Sequence, residues 1–133
     1  MFISEVKHNK KKKRTYVAIE LDVFHCRLNL HVLSKFKNLP KKLTDTVDLN
    51  AIKHAGGFVD KEIRNFETEM VLKPDIGAGD LAHECKHFMN TVYMHIGHRT
   101  DADNDEIECY LLGHFIDLVT QSVNDHKKKF KIK

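Results

Sequence analysis

The stretch DLAHECKHFMN, residues 80–90, leaves few folding options, because its apolar residues recur at the spacing of an amphipathic helix. At about 100° per residue, the apolar side chains here and just beyond fall on one side of that helix. They are Leu81, Cys85, Phe88, Met89, Val92 and Ile96. His83 and His87 point away from them, one turn apart and within about 40° of each other. The pattern predicts a helix over 75–98 with an apolar side for the core and a polar side that carries two histidines.

Capping signals set the expected limits of this helix and of a second one. Asp75 or Asp80 is the expected N-cap of the first helix, and Gly97 is its expected C-terminal stop. A polar loop then leads to a second helix, whose expected cap is Asn104 or Asp105 and whose first turn is acidic. The pattern therefore indicates two helices joined by one loop.

The residues before the helices favour β-strands. Residues 15–36 are rich in β-branched and aromatic side chains, and from His25 onwards apolar and polar residues partly alternate. This pattern favours strand, in one piece or in two with a bend near Asp22. A helix over 17–36 is the alternative interpretation, because no Gly or Pro interrupts that stretch.

A second β segment is expected further along. Residues 58–74 favour one strand, or a hairpin that turns near residues 60–61, and Pro74 ends the segment. Residues 38–57 are expected to form a connector with one short helical turn around 48–54. Together these elements predict an α+β fold. In it a small antiparallel sheet packs against the helix that carries the HExxH motif of His83, Glu84 and His87, and against a second, antiparallel C-terminal helix.

Basic residues are concentrated at the two ends of the chain. Eleven of the 22 Lys and Arg residues lie there, namely Lys7, Lys10, Lys11, Lys12, Lys13, Arg14, Lys127, Lys128, Lys129, Lys131 and Lys133. The other 11 lie in residues 15–124 together with 17 of the 19 acidic residues, which makes the body of the chain acidic. We therefore divide the chain into a basic head (1–14), a single domain (15–124) and a basic tail (125–133). Loosely ordered, solubilising ends are the preferred interpretation, and a nucleic acid is expected to contact the chain only through them.

The sequence also limits the compartment. Its three cysteines include no C-x-x-C pair, which argues against a disulfide scaffold and fits a cytosolic protein. At the N-terminus the charges follow a very short apolar start, which is the wrong order for a secretory signal. No apolar run approaches the roughly 20 residues that span a bilayer. We expect a cytoplasmic location, or a place in a larger particle assembled in a cytosol, and no membrane partner.

The two histidines make a metal site the main functional hypothesis. One turn apart, the imidazoles of His83 and His87 can share one cation, and Glu84 beside them can reach a water on that cation without being a ligand. Cys85 lies roughly opposite the pair and belongs to the core. A tetrahedral zinc site requires a third protein ligand. The candidates are His95, His98, Glu106, Glu108 and His114.

Glu106 is the preferred third ligand. On a wheel of the second helix, Glu106 shares one side with Tyr110 and Gly113, whereas Glu108 falls on the opposite side. The eighteen residues between His87 and Glu106 suffice to finish one helix, turn and begin an antiparallel partner. Gly113 would also let the two helices approach each other closely.

The motifs carry a resemblance to a known group of enzymes. The HECKH motif at residues 83–87, followed by Asn104-Asp105-Glu106 on a second helix, resembles the gluzincin arrangement of zinc metallopeptidases. Over roughly residues 56–118, the segments LAHECKHFMN and IGHRTDADNDEIECYLLGHFID are similar to small zincin-like proteins encoded by tailed bacteriophages. The resemblance implies a minimal zincin-like fold and a zinc-dependent metallopeptidase that acts on a peptide or protein substrate.

Site roles follow from this resemblance. His83, His87 and Glu106 would hold Zn²⁺, and Glu84 would be the general base. The developing oxyanion needs a hydrogen-bond donor besides the metal. Tyr110 or His114, near Glu106 on the second helix, is expected to supply it. Packing within the fold is the alternative role for both residues.

A function of another class competes with catalysis. In that hypothesis the chain is a zincin-like structural or binding module of a phage particle, with zinc structural or absent and with protein partners from the assembly. The location would then be the host cytosol or the virion.

Overall fold

The computed structural model describes residues 1–45, 56–60 and 63–133. Its strands are β1 (Phe2–Asn9), β2 (Arg14–Leu21), β3 (Cys26–Leu33), β4 (Gly57–Val59) and β5 (Glu67–Leu72). Its helices are α1 (Lys41–Thr44), α2 (Ala78–His95) and α3 (Glu106–Lys129), with 3₁₀ turns at Asp22–Phe24 and Phe36–Asn38. The predicted α+β class is confirmed.

The sheet is mixed, which corrects the antiparallel sheet expected from the sequence. Its strand order is β1-β2-β3-β5-β4. Neighbouring strands are antiparallel except β3 and β5, which run parallel with Leu30 opposite Met70. The chain between Leu33 and Glu67 is long enough for a crossover, whereas an antiparallel neighbour needs only a tight turn.

The two β segments differ in how fully their details could be predicted. Residues 15–36 form β2 and β3, and the 3₁₀ turn at Asp22–Phe24 is the expected bend, so the helical alternative is wrong. Residues 58–74 hold the hairpin of β4 and β5, and Pro74 follows the end of β5. The helical turn expected around 48–54 lies outside the described residues.

Both basic ends are regular elements, in contrast to the expected loose termini. Phe2–Asn9 pairs along its length with β2, with one irregularity between Ile3 and Glu5. The last turns of α3 extend to Lys129, and the fully buried His126 lies within them. Because these residues make backbone and core contacts, the compositional borders near residues 14 and 125 do not separate structured from unstructured chain.

The main core lies between one face of the sheet and the two long helices. The inward residues of the strands alternate with outward ones, as in β2 and β3, where Ile19 and Leu28 are fully buried. Phe88 of α2 and Phe115 of α3 stack above this face with ring centroids 4.6 Å apart. The other face is covered in part by a smaller apolar cluster, which consists of Leu33, Phe36, Leu39, Leu43 and Val71. In the described ranges, no helix is long and apolar enough to cross a membrane.

The ends of α2 were predicted correctly at one end only. Gly77 occupies the N-cap position without a side-chain bond, so neither Asp75 nor Asp80 is the cap. At the other end Gly97 adopts φ +71°, and the N–H of His98 donates to the carbonyl oxygen of Tyr93 at 2.9 Å. This is the Schellman arrangement that favours glycine. Asp105 takes the N-cap position of α3, without a side-chain bond.

Candidate metal centre

His83 and His87 form a close pair on the surface of α2. Their Nε2 atoms lie 3.0 Å apart, and their rings meet edge to face with centroids separated by 4.5 Å. A tetrahedral zinc with Zn–N bonds of about 2.0–2.1 Å would hold two nitrogens about 3.3 Å apart. The pair therefore fits two ligand positions of one metal ion, and without an ion one imidazole can donate to the other.

Glu84 is half-buried between this pair and the body of the protein. Burial raises the pKa of its carboxyl group above the usual range, and the nearby Asp80 acts in the same direction. His83 and His87 oppose the shift by favouring the carboxylate. The structure thus places a carboxyl group with an enhanced tendency to hold a proton beside the two histidines.

Glu84 lies on the side of α2 opposite Tyr93, the residue that faces the start of α3. Tyr93 marks the opposite side, because its ring is buried and feels the charges of Glu108 and Cys109 at the start of α3. On the helix wheel, Glu84 lies about 180° from Tyr93. α2 also packs against β4, which is an edge strand of the sheet. α2 therefore contacts both α3 and the edge strand β4, and Glu84 lies opposite the Tyr93 side of the helix.

Glu106 does not join the pair in this structure. α2 continues for eight residues beyond His87, a rise of about 12 Å, before the chain turns. The imidazole of His98 then donates to the carboxylate of Glu108 at 2.6 Å, which holds the first turn of α3 beside the C-terminal end of α2. Within the described ranges no three His, Cys, Asp or Glu side chains come together as a metal-binding group. Of the expected set, His83 and His87 thus lie together on α2, whereas Glu106 lies beside the C-terminal end of α2.

The remaining candidates also lie apart from the pair. Tyr110 is 75% exposed, and the imidazole of His114 donates to the carbonyl oxygen of Met1 at 3.2 Å. Met1 adjoins β1, at the edge of the sheet opposite to β4. His95 meets the ring of Phe66 at 6.2 Å.

Gly113 is not a close-contact site between the helices. A Cβ atom built on Gly113 would have no heavy atom within 4 Å, apart from its own helix backbone and chain neighbours. The two helices instead meet through the rings of Phe88 and Phe115. The sequence pattern placed Gly113 on the same side as Glu106, and that side of α3 is not the one that packs on α2.

A polar network on the face of the sheet opposite α2 and α3 was not expected from the sequence. Tyr16 donates to Asn29 at 2.8 Å, and the Asn29 amide donates to Glu69 at 3.1 Å and to Glu67 at 3.3 Å. His31 donates through Nε2 to Glu69 at 2.9 Å, and both Asn29 and His31 are 3% exposed. Tyr16, Asn29, His31 and Glu67 border a cavity of about 530 Å³. The partial alternation of polar and apolar residues from His25 onwards gave no sign that these polar side chains would be buried.

The carboxylate at the centre of this network is kept ionised by its neighbours. Burial alone would raise the pKa of Glu69, but the hydrogen bond and charge of His31, followed by the charge of Lys42, outweigh it and lower that pKa. Nδ1 of His31 is buried and has no hydrogen-bond partner among the described residues.

Comparison with known proteins adds no family to these observations. No protein-family model matches the chain, and no curated protein or solved structure matches it either. The chemistry of the site is therefore argued from its own residues, which are two imidazoles and a half-buried carboxyl group on the flank of one helix.

Proposed function

We propose that the chain is a zinc-dependent hydrolase of peptide bonds, in which His83 and His87 hold the ion and Glu84 is the general base. The observation that carries this proposal is the 3.0 Å separation of the two Nε2 atoms, with Glu84 on the same flank of α2. An HExxH helix packed on a sheet and in contact with an edge strand is the arrangement expected of a minimal zincin-like fold.

In this proposal His83 and His87 would hold the ion, and Glu84 would transfer the proton. A zinc ion held by the two histidines would lower the pKa of a bound water to about 7. Glu84 would take a proton from the attacking water and give it to the leaving amine. The half-buried position of Glu84 suits the proton transfer to the leaving amine. Burial raises the pKa of its carboxyl group and so stabilises the protonated form that donates this proton.

The substrate would lie along the edge of the sheet. β5 lies between β3 and β4, so the outermost described strand on this side of the sheet is β4, Gly57–Val59. A strand at an edge has backbone groups on its outer side that can pair with an extended peptide. Since α2 packs against β4, a peptide on β4 would pass close to the polar flank of α2.

One observation favours the second candidate function, a structural or binding module of a phage particle. Catalytic zinc sites ordinarily have three protein ligands, and the described part of the chain brings only two together. The hydrogen bond between His83 and His87 can give the Nε2 atom of each ring a partner without a metal. In this candidate function the partners are proteins of the assembly, in the host cytosol or in the virion.

Replacing Glu84 by glutamine separates the two functions. In the hydrolase, Glu84→Gln lowers the rate on a fluorogenic peptide library by about 10²–10⁴-fold while zinc content stays unchanged. Tyr110→Phe and His114→Ala serve as controls, and both should retain the wild-type rate because these residues lie apart from the pair. A wild-type protein that retains zinc and cleaves none of the peptides would favour the binding module.

A further inference from the structure

The fold brings the basic head and the basic tail together at one end of the molecule. We call this end the basic pole and define it by Lys10, Lys11, Lys12, Lys13, Arg14, Lys35, Lys37, Lys127, Lys128, Lys129, Lys131 and Lys133. The first group forms the turn between β1 and β2, the second follows β3, and the third ends α3 and the chain. The third group lies at least 90 residues beyond the other two in sequence, so only the fold makes it their neighbour.

Specific contacts hold the three segments of the basic pole in place. The guanidinium of Arg14 donates to the carbonyl oxygen of Asn38 at 2.9 Å, which ties the β1–β2 turn to the segment after β3. A 2.7 Å hydrogen bond joins Thr15 to the buried His126, and the ring of Phe130 meets that of His8 at 6.0 Å. The last turn of α3 is therefore anchored beside the same β-turn.

A polar groove runs between these segments. It has a volume of about 390 Å³, and its lining consists of Lys11, Lys12, Lys13, Ser34, Lys35, Asn38 and Ile132. Lysine ammonium groups, a serine hydroxyl and an asparagine amide are the side-chain donors that proteins commonly direct at phosphate oxygens. None of the described residues that line the groove is acidic.

The positive charge of the basic pole is not neutralised internally. Among the residues that the structure describes, the ion pairs involve none of the lysines of the pole. Ten of its twelve members belong to the head and tail, which contain half of all Lys and Arg in the chain. An uncompensated cluster of this kind attracts polyanions and releases their counterions on binding.

The surroundings of the pole distinguish between polyanions. Proteins that lie on anionic membranes usually insert exposed apolar side chains beside their lysines, and protein interfaces have apolar or aromatic centres. The large exposed apolar side chains of the described chain are Phe2, Val6, Val23, Phe66, Met94, Ile96, Ile107 and Tyr110, and none belongs to the pole or its groove. Ile132, which is partly buried, is the one apolar side chain among the described residues that line the groove, and a surface made mainly of lysines is suited to a phosphodiester backbone.

We propose that the basic pole binds nucleic acid through its phosphate backbone, with the groove between the β1–β2 turn and the C-terminal tail as the track for one strand. Head and tail act on the same ligand, so each contributes part of the binding. The contacts are to phosphates, and the binding is therefore independent of base sequence.

Fluorescence anisotropy with labelled single-stranded DNA, duplex DNA and single-stranded RNA tests this proposal on the full chain. Binding should weaken steeply with salt, and its logarithm should fall linearly with the logarithm of salt concentration. The head variant Lys11→Gln/Lys12→Gln and the tail variant Lys129→Gln/Lys133→Gln should each reduce that slope, by about 1 for every lysine that contacts a phosphate. Combining them should reduce it further. The three arms show which nucleic acid is held most tightly.

The control variant is Lys86→Gln/Arg99→Gln, which removes the same charge from exposed positions outside the pole. It should bind like the wild type. Equal losses in the control and the head variant would overturn the proposal, because net charge rather than the pole would then be responsible. Binding to phosphatidylserine vesicles without binding to any of the three nucleic acids would overturn it as well, and would assign the pole to a membrane surface.

Discussion

The imidazole of His98 donates a 2.6 Å hydrogen bond to the carboxylate of Glu108, and this contact joins the end of α2 to the start of α3. Together with the stacked rings of Phe88 and Phe115, it makes the helices antiparallel neighbours along their lengths. The consequence is functional. The start of α3, where Glu106 lies, is held at the end of α2 remote from His83, so a metal ion bound by the histidine pair would lack Glu106 as a ligand.

The network around Glu69 predicts unequal effects of two substitutions. Glu69→Ala removes the acceptor of the buried His31 and one acceptor of Asn29, and should lower the free energy of unfolding by about 2–3 kcal/mol. Lys42→Ala removes a partner whose side chain is 63% exposed, and should cost less than about 1 kcal/mol. Urea denaturation at neutral pH measures both. Equal effects would show that the network is not what stabilises this face.

The buried His126 predicts a loss of stability in mild acid. Burial, followed by the charge of His8, lowers its pKa from 6.5 to about 4. Because the folded-state pKa lies below the unfolded one, the neutral side chain contributes fully above about pH 6.5, and that contribution is lost as the pH falls towards 4. The loss amounts to at most about 3 kcal/mol.

Urea denaturation between pH 7 and pH 4 measures this effect against His126→Gln, which cannot titrate but can still bond to Thr15. The variant should lose less stability than the wild type over that range. His25→Gln, at an exposed histidine, is the control and should behave like the wild type. Identical pH profiles for the wild type and His126→Gln would contradict the prediction.

Two glycines should respond in opposite directions to alanine. A Cβ atom on Gly57 would lie 2.5 Å from Leu72 Cδ2 and 2.7 Å from the carbonyl oxygen of Val71, so Gly57→Ala forces the β4–β5 pair apart and should cost about 1–3 kcal/mol. A Cβ atom on Gly113 meets nothing within 4 Å, and Gly113→Ala in the middle of α3 should add about 0.5–1 kcal/mol. Denaturation midpoints of the two variants test both signs.

Local patterns predicted the elements of this fold better than their arrangement. The apolar stripe of α2, the glycine at its end and the bend near Asp22 follow from short-range rules, and the structure contains all three. The parallel pairing of β3 with β5 depends on which strands meet across a long connection. Alternation within a strand is the same for either direction of its neighbour, so the sequence pattern had no means of distinguishing them.

The candidate site shows the same division. The i, i+4 spacing of His83 and His87 was sufficient to predict that their rings meet. A wheel of α3 could group Glu106 with Tyr110 and Gly113, but it contains no information on which side of α3 packs against α2. Phe115, Val119 and the other apolar residues of α3 pack into the core and so determine which side of α3 faces inwards. The side with Glu106 lies opposite to them on the helix wheel.

Zinc content of the purified protein is the most direct measurement on the histidine pair. The protein is prepared without chelator and analysed by mass spectrometry of its metals, together with His83→Ala, His87→Ala and, as control, His95→Ala. We predict one zinc per chain in the wild type and in His95→Ala, and loss of zinc in both variants of the pair. A wild-type protein without zinc, or undiminished zinc in His83→Ala, would contradict the proposed metal centre.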